Sequence, residues 1–198
     1  MTSKKDWIKL IATDEEKALA WSIARQIDKI DKVAQTPILF IPKGKTRLQI
    51  IYLGELGNIL FGRLLNENSI KYQRYRINLD GRVDSGDFKI NGWIIDVKTA
   101  QLGYPIEQIK DGYQFFVAEQ QMQKDIDYFV SIQAEPDGTT FYIVGFISRA
   151  MAMKCPIKQY KNNSHRAYNI PLIDLEPNNI LYAETREARN DENTPTAK

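Results

Sequence analysis

The stretch that decides the fold lies at residues 87–99 and reads DFKINGWIIDVKT. At its centre, Asn91-Gly92 separates two runs in which apolar and polar residues alternate. Asn-Gly is among the strongest short-range hairpin signals, because both central residues of a type I′ turn need a positive φ. A two-residue loop at this point pairs Ile90 with Trp93. We therefore expect an antiparallel hairpin whose register is set by this turn.

This register places two carboxylates on one face of the hairpin. Asp87 would lie directly opposite Asp96, and Lys98 would follow on the same face. Carboxylates whose Cβ atoms are about 5 Å apart repel each other and destabilise a sheet. A divalent cation between them would remove that penalty. The alternative interpretation is a solvated hairpin whose outer face is charged by chance.

The tripeptide acid-x-Lys is weak evidence by itself, since it occurs three times in the chain. Asp96-Val97-Lys98 differs from the other two because it ends a strongly apolar run and also has an acid opposite it. We therefore favour a site on this hairpin over a chance arrangement.

The surrounding sequence predicts a mixed α/β order. Capping-box patterns at Thr13/Glu16 and Thr46/Gln49 begin two amphipathic segments, and we expect helices over 14–34 and 47–66. The hydrophobic period then becomes strand-like. We expect strands over 71–79, 85–90, 93–99, 128–133 and 139–148, a helix over 106–122 after Pro105, a helical turn at 148–153, and a strand or packed loop at 168–175.

Composition limits the classes of protein and of metal site. The chain has 198 residues, 43% hydrophobic and 26% charged, which excludes global disorder. Its net charge of +2 neither requires nor excludes nucleic acid. One cysteine and one histidine exclude a multi-cysteine or two-histidine zinc site, so a metal would need carboxylate ligands. We expect one domain over 1–183, a disordered tail over 184–198, no membrane segment and a cytoplasmic location.

These residues resemble the PD-(D/E)xK nuclease superfamily. Asp87 stands for the first acid of that motif, and Asp96-Val97-Lys98 for the second acid and the lysine. Glu55, in Gly54-Glu55-Leu56-Gly57, matches the glutamate often found on the preceding helix, although a surface glutamate is the alternative. Gly86 stands where the family often has proline. Asp84 remains open as the first acid, although the hairpin register favours Asp87.

The resemblance implies a fold and an activity. The fold is α/β and restriction-endonuclease-like: a central mixed sheet flanked by helices, with an α-β-β-β-α-β core and an added N-terminal helix. The activity is Mg²⁺-dependent hydrolysis of DNA phosphodiesters, with Mn²⁺ able to substitute, in restriction, recombination, repair or mobile-element defence. RNA remains open as a substrate, and cleavage of two strands would favour a homodimer.

The resemblance also assigns roles to single residues. Asp87, Asp96, Glu55 and the main-chain carbonyl of Val97 would hold the metal, and Lys98 would orient the attacking water. Gln101 would contact the site or a phosphate.

Basic residues near aromatic or polar neighbours suit phosphate contact, although a solvated charged surface explains them equally well. The candidates for contact with nucleic acid are Lys45, Arg47, Arg74, Arg76, His165 and Arg166. Two other functions stay open: a non-catalytic nucleic-acid-binding module that retains the fold, and an α/β interaction protein whose polar hairpin is incidental.

Overall fold

A computed structural model describes residues 4–34, 44–75, 86–110, 112–159 and 166–177. Its strands and α-helices, in chain order, are β1 (Ile8–Ile11), α1 (Asp14–Ala34), α2 (Arg47–Glu67), β2 (Gln73–Arg74), β3 (Phe88–Ile90), β4 (Trp93–Gln101), β5 (Gln114–Ala118), β6 (Tyr128–Ala134), β7 (Thr140–Ser148), α3 (Arg149–Ala152), β8 (Ile157–Gln159) and β9 (Arg166–Pro171). Short 3-10 helices lie at Lys4–Asp6, Ile106–Gln108, Glu119–Gln123 and Leu172–Asp174.

The main sheet has six strands in the order β1-β7-β6-β4-β3-β2. Strands β4 and β6 are parallel, and the other neighbouring pairs among the described strands are antiparallel. A smaller antiparallel sheet has the order β5-β9-β8. The predicted class, a mixed α/β fold with a mixed sheet and flanking helices, is confirmed.

The predicted hairpin forms with the predicted register over its described strands. Phe88 pairs with Ile95, Lys89 with Ile94 and Ile90 with Trp93. Asn91 and Gly92 adopt φ values of 47° and 90°, as the Asn-Gly turn requires. The turn chemistry therefore fixes which side chains of β3 and β4 share a face.

Both long helices begin where the capping boxes predict. Thr13 N–H donates to Glu16 Oε2 at 2.8 Å, and the Glu16 N–H donates back to Thr13 Oγ1 at 3.2 Å. Thr46 and Gln49 form the same reciprocal pair at the start of α2. The predicted spans of 14–34 and 47–66 differ from the observed ones only by Glu67.

Helix α2 packs on one face of the main sheet. Leu56 and Leu60 are fully buried in a core that also contains Ile95 and Val97 of β4. The helix approaches β4 closely at Gly57, where a Cβ atom would lie 1.9 Å from Thr99 Oγ1. Among the described helices, α2 is the one apolar and long enough to cross a membrane, but half of that apolar window is buried. This burial is the behaviour of a core helix.

The predicted helix over 106–122 is wrong. The described residues of this span form a 3-10 turn, strand β5 and the start of a second 3-10 turn. Phe115 and Val117 are buried while Phe116 is 49% exposed, which is the alternation of a strand. Strand β5 forms because β9, which lies about fifty residues later in the chain, pairs with it. The fifth element of the predicted α-β-β-β-α-β order is therefore not a helix.

The other strand predictions are met in part. The strands predicted over 128–133 and 139–148 and the helical turn at 148–153 correspond to β6, β7 and α3. Of the strand predicted over 71–79, β2 covers only two residues, and positions 76–79 lie outside the described residues. Strand β3 begins three residues later than predicted, at Phe88. Strands β1 and β8 were not predicted. Asp84 and the tail over 184–198 also lie outside the described residues.

Candidate functional site

The carboxylate of Asp87 is held by two donors from different elements. Val97 N–H of β4 donates to Oδ2 at 2.7 Å. Asn58 Nδ2 of α2 donates to Oδ1 at 3.0 Å. Each oxygen therefore accepts a hydrogen bond from the protein, and α2 and β4 together set the orientation of the carboxylate.

The backbone at Asp87 departs from the predicted register. A regular ladder would place Asp87 opposite Asp96 in a non-hydrogen-bonded pair, with its N–H directed away from β4. Instead, Asp87 N–H donates to the Ile95 carbonyl at 2.9 Å. The chain turns just before this point, at Gly86 with a φ of 120°. The predicted pairing of Asp87 with Asp96 is therefore wrong, because the regular ladder ends at Phe88.

The two candidate acids are nevertheless linked through one peptide group, the one between Asp96 and Val97. The N–H that Asp87 accepts belongs to the peptide joining Asp96 to Val97. In a strand, the N–H and C=O of one residue point to the same neighbouring strand. The Val97 carbonyl therefore faces the side of β4 from which Asp87 approaches.

Asp96 and Lys98 form a close ion pair on β4. The Asp96 residue is only 5% exposed, and its Oδ2 is the oxygen that pairs with the Lys98 ammonium group. The Lys98 side chain is 24% exposed and so reaches toward solvent. The lysine therefore neutralises a buried carboxylate while keeping some access to the outside.

The two faces of β4 separate these residues. Val97 and Thr99 point toward α2, as the Gly57 contact shows. Side chains alternate along a strand, so Asp96 and Lys98 project from the other face. Asp87 is tied to α2 through Asn58. The expectation that Asp87, Asp96 and Lys98 share one face is therefore not met, because the turn at Gly86 redirects the Asp87 side chain.

No group of three or more His, Cys, Asp or Glu residues with the geometry of a metal site occurs among the described residues.

Glu55 lies on α2, one turn before Asn58. It is 9% exposed, and its Oε2 accepts a hydrogen bond from Arg74 Nη2 of β2 at 2.6 Å. The alternative interpretation of Glu55 as a surface residue is therefore wrong. Asn58, one turn further along α2, donates a hydrogen bond to Asp87.

Asn58 was missed from the sequence, although a signal was present. It is a polar residue between Leu56 and Leu60 on the apolar face of α2, and it lies one turn from Glu55. A polar residue in such a place needs a buried partner.

Gln101 ends β4 and binds the turn between β6 and β7. Its Nε2 donates to the carbonyls of Glu135 and Pro136 at 3.2 and 3.3 Å. Lys45 Nζ donates to Gln101 Oε1, which brings this lysine to the carboxyl end of β4. Lys45 thus contacts Gln101, which lies three residues after Lys98 on β4.

The same turn contains Asp137, whose carboxylate accepts the N–H groups of Thr139 and Thr140 at 2.8 and 2.9 Å. Desolvation raises the pKa of Asp137, but these hydrogen bonds outweigh it and leave the pKa below its ordinary value. The turn that Gln101 binds is therefore held by an ionised carboxylate.

The remaining candidate cations have acidic partners. Arg47 lies 3.4 Å from Asp28, at the contact of α2 with α1. Arg166 lies 3.4 Å from Glu119, in the region of the smaller sheet. Arg76 and His165 lie outside the described residues. Among the described residues, Arg47 and Arg166 are therefore paired with acids on different elements, α1 and the 3-10 turn at Glu119.

A buried polar pair, Ser131 and Gln133 of β6, lies on the same face of the sheet as Asp96 and Lys98. Ser131 is the register partner of Lys98. Gln133 Nε2 donates to Ser131 Oγ at 3.1 Å, and both residues are buried. This pair was not predicted, because Ser and Gln within a strand carry no specific signal for a site.

Comparison of the chain with protein-family models, with curated proteins and with solved structures gave no match.

Proposed function

We propose that the protein is a metal-dependent phosphodiesterase acting on DNA, with a core of the restriction-endonuclease type. The observation that carries the proposal is the contact of Asp87 Oδ2 with Val97 N–H. It brings the first acid of the motif to the acid-x-Lys tripeptide Asp96-Val97-Lys98.

The strand order supports the same proposal. Helix α2 is followed by the antiparallel strands β2, β3 and β4 and then, after a crossover, by β6 parallel to β4. This is the order of the superfamily core except in the crossover, which here contains β5 in place of a helix. A parallel connection needs a dozen or more residues but not a helix.

The residues present fit a hard divalent cation. Carboxylate and carbonyl oxygens are the ligands that Mg²⁺ and Mn²⁺ prefer. Asp87, Asp96 and the Val97 carbonyl would hold the ion, and Glu55 would complete the set. This assignment requires the side chains to rearrange when the ion binds, because Asp96 projects from the other face of β4 and the described acids form no three-residue metal site. A bound Mg²⁺ would lower the pKa of its water and offset charge on the phosphate.

The residues of the chain have distinct tasks in this proposal. Asn58 and the Val97 N–H orient Asp87. Lys98 pairs with Asp96, and its partial exposure lets the ammonium group approach a phosphate. Arg74 holds Glu55 in place on the α2 side of the sheet. Lys45 and Gln101, at the carboxyl end of β4, are the nearest candidates for backbone contacts.

The test is cleavage of plasmid, linear, branched and single-stranded DNA, and of RNA, with Mg²⁺, with Mn²⁺ and with a chelator. We expect metal-dependent cleavage that Asp96→Asn and Lys98→Ala abolish. Lys89→Ala is the matched control, since Lys89 is an exposed lysine on the neighbouring strand. Cleavage that survives in Asp96→Asn would contradict the proposal.

A second function, nucleic-acid binding without catalysis, is favoured by one observation. Both Asp96 and Glu55 are paired with cations of the chain, which is how structural carboxylates are stabilised. DNA binding by the wild-type protein with no cleavage under any metal condition would support this second function over the first.

A further inference from the structure

We propose that Asn58 is a positioning residue that holds the Asp87 carboxylate in the orientation needed to bind a cation. This inference rests on the proposed function, in which Asp87 is the first metal-binding acid. It starts from one contact, the 3.0 Å hydrogen bond from Asn58 Nδ2 to Asp87 Oδ1.

Packing alone does not explain an asparagine at this position. Asn58 is 6% exposed and lies in the face of α2 that is buried against the sheet. Its Oδ1 is buried and makes no hydrogen bond within the described residues. A buried amide with an unsatisfied acceptor costs stability, whereas an apolar residue of similar shape would not. The benefit of Asn58 therefore lies in the bond that its Nδ2 makes.

The backbone of Asp87 is hydrogen-bonded to Ile95, but the regular ladder does not orient the Asp87 side chain. The regular ladder ends at Phe88, so the pleat of β3 does not fix the direction of the Asp87 side chain. Val97 N–H holds one oxygen and Asn58 holds the other. Two donors from two rigid elements leave the carboxylate little rotational freedom.

The same two bonds leave Asp87 able to bind a cation. Each carboxylate oxygen can accept more than one hydrogen bond or ligand contact. Residues that orient metal ligands in this way commonly change metal affinity by about 10–100-fold when they are replaced. Asn58 would therefore affect the metal through Asp87 without touching the metal itself.

The first experiment measures Asp87 in the metal-free protein. Asn58→Leu fills a similar space and removes the donor, so the fold should be kept. We expect the Val97 amide to exchange with solvent at least about tenfold faster in this variant, relative to core amides. Asn66→Leu is the matched control on the same helix, because its Nδ2 contacts Tyr72 Oη and not Asp87. Unchanged Val97 exchange in Asn58→Leu would overturn the inference.

A second measurement needs no variant. In the wild-type protein, the side-chain amide protons of Asn58 should exchange slowly, and those of Asn66, an exposed residue, should exchange fast. Equal exchange of the two side-chain amides would overturn the inference even if Asn58→Leu fails to fold.

Calorimetric titration with Mn²⁺ separates this inference from the proposed function. We expect binding by the wild-type protein and about 10–100-fold weaker binding by Asn58→Leu, with Asn66→Leu unchanged. Equal Mn²⁺ affinity in wild type and Asn58→Leu would overturn the inference. A wild-type protein that binds no Mn²⁺ would overturn the proposed function, while the Val97 exchange still decides whether Asn58 orients Asp87.

Discussion

Asp87 Oδ2 accepts a hydrogen bond from the backbone N–H of Val97 at 2.7 Å. In a regular ladder, a backbone carbonyl of the neighbouring strand would accept this hydrogen bond. The contact joins the end of β3 to the middle of β4 without continuing the sheet. The site also depends on the packing of α2 against the sheet, because Asn58 of α2 donates the hydrogen bond to the other oxygen of Asp87. Variants of these residues can therefore separate effects on stability from effects on the reaction.

Lys98→Ala should abolish cleavage and keep DNA binding, because affinity comes mainly from phosphate contacts elsewhere. It should also lower the free energy of unfolding by about 1–3 kcal/mol, since the buried Asp96 loses its cation. Cleavage, DNA binding and denaturant unfolding are the three measurements. The double variant Lys98→Ala/Asp96→Asn should recover part of the stability and none of the activity. Full turnover in Lys98→Ala would refute a role for Lys98 in the reaction.

Glu55→Gln should weaken Mg²⁺-supported cleavage and also lower the free energy of unfolding by about 1–2 kcal/mol, because Arg74 loses a charged partner. Glu67→Gln is the control on the same helix. Its carboxylate is largely exposed, so the change should stay within about 0.5 kcal/mol. Both proteins are compared by Mg²⁺ dependence of the cleavage rate and by denaturant unfolding. Glu55→Gln with wild-type metal dependence would limit Glu55 to a structural ion pair.

Two glycines of α2 should respond in opposite directions to alanine. Gly54→Ala should stabilise the protein by about 0.5–1 kcal/mol, since a Cβ there meets nothing within 4 Å and alanine favours the helix. Gly57→Ala should destabilise it by about 1–3 kcal/mol, because its Cβ would overlap Thr99. Denaturant unfolding of both variants is the test. Similar effects of the two substitutions would mean that α2 does not lie as close to β4 as described.

Asp137→Asn should destabilise the protein at neutral pH and much less in acid. Hydrogen bonds from Thr139 and Thr140 keep the pKa of Asp137 below its ordinary value in the folded protein. Its contribution is therefore present above the unfolded-state pKa, near 3.8, and is lost as the pH falls through the lower folded-state pKa. Unfolding measured from pH 7 to pH 2.5 should show the two proteins converging below about pH 4. A difference that is constant over this range would contradict the assignment.

The features predicted from the sequence are those that depend on neighbouring residues. The Asn91-Gly92 turn set three cross-strand pairs correctly, and the capping boxes placed the starts of α1 and α2. In each case the determining contacts lie within a few positions of one another. Local chemistry was therefore sufficient for these elements.

The features that were missed depend on distant contacts. Strand β5 was taken for a helix because its partner β9 is far along the chain. The Asp87 side chain was assigned to the wrong face because the positive φ of Gly86 and the bond from Asn58 override the strand period. Asn58 was overlooked although it is a polar residue within an apolar face, and its partner Asp87 could not be read from the same helix.

The conformation of Gly86 has a consequence for any attempt to introduce the proline that often precedes the first acid in PD-(D/E)xK nucleases. A proline ring holds φ near about −65°, whereas Gly86 adopts 120°. A Cβ at this position would also lie 2.6 Å from Ile94 Cγ2. A proline and this glycine therefore require different backbone conformations directly before the acid, and the two conformations are incompatible. An engineered exchange at position 86 would have to be accompanied by redesign of the segment that leads into it.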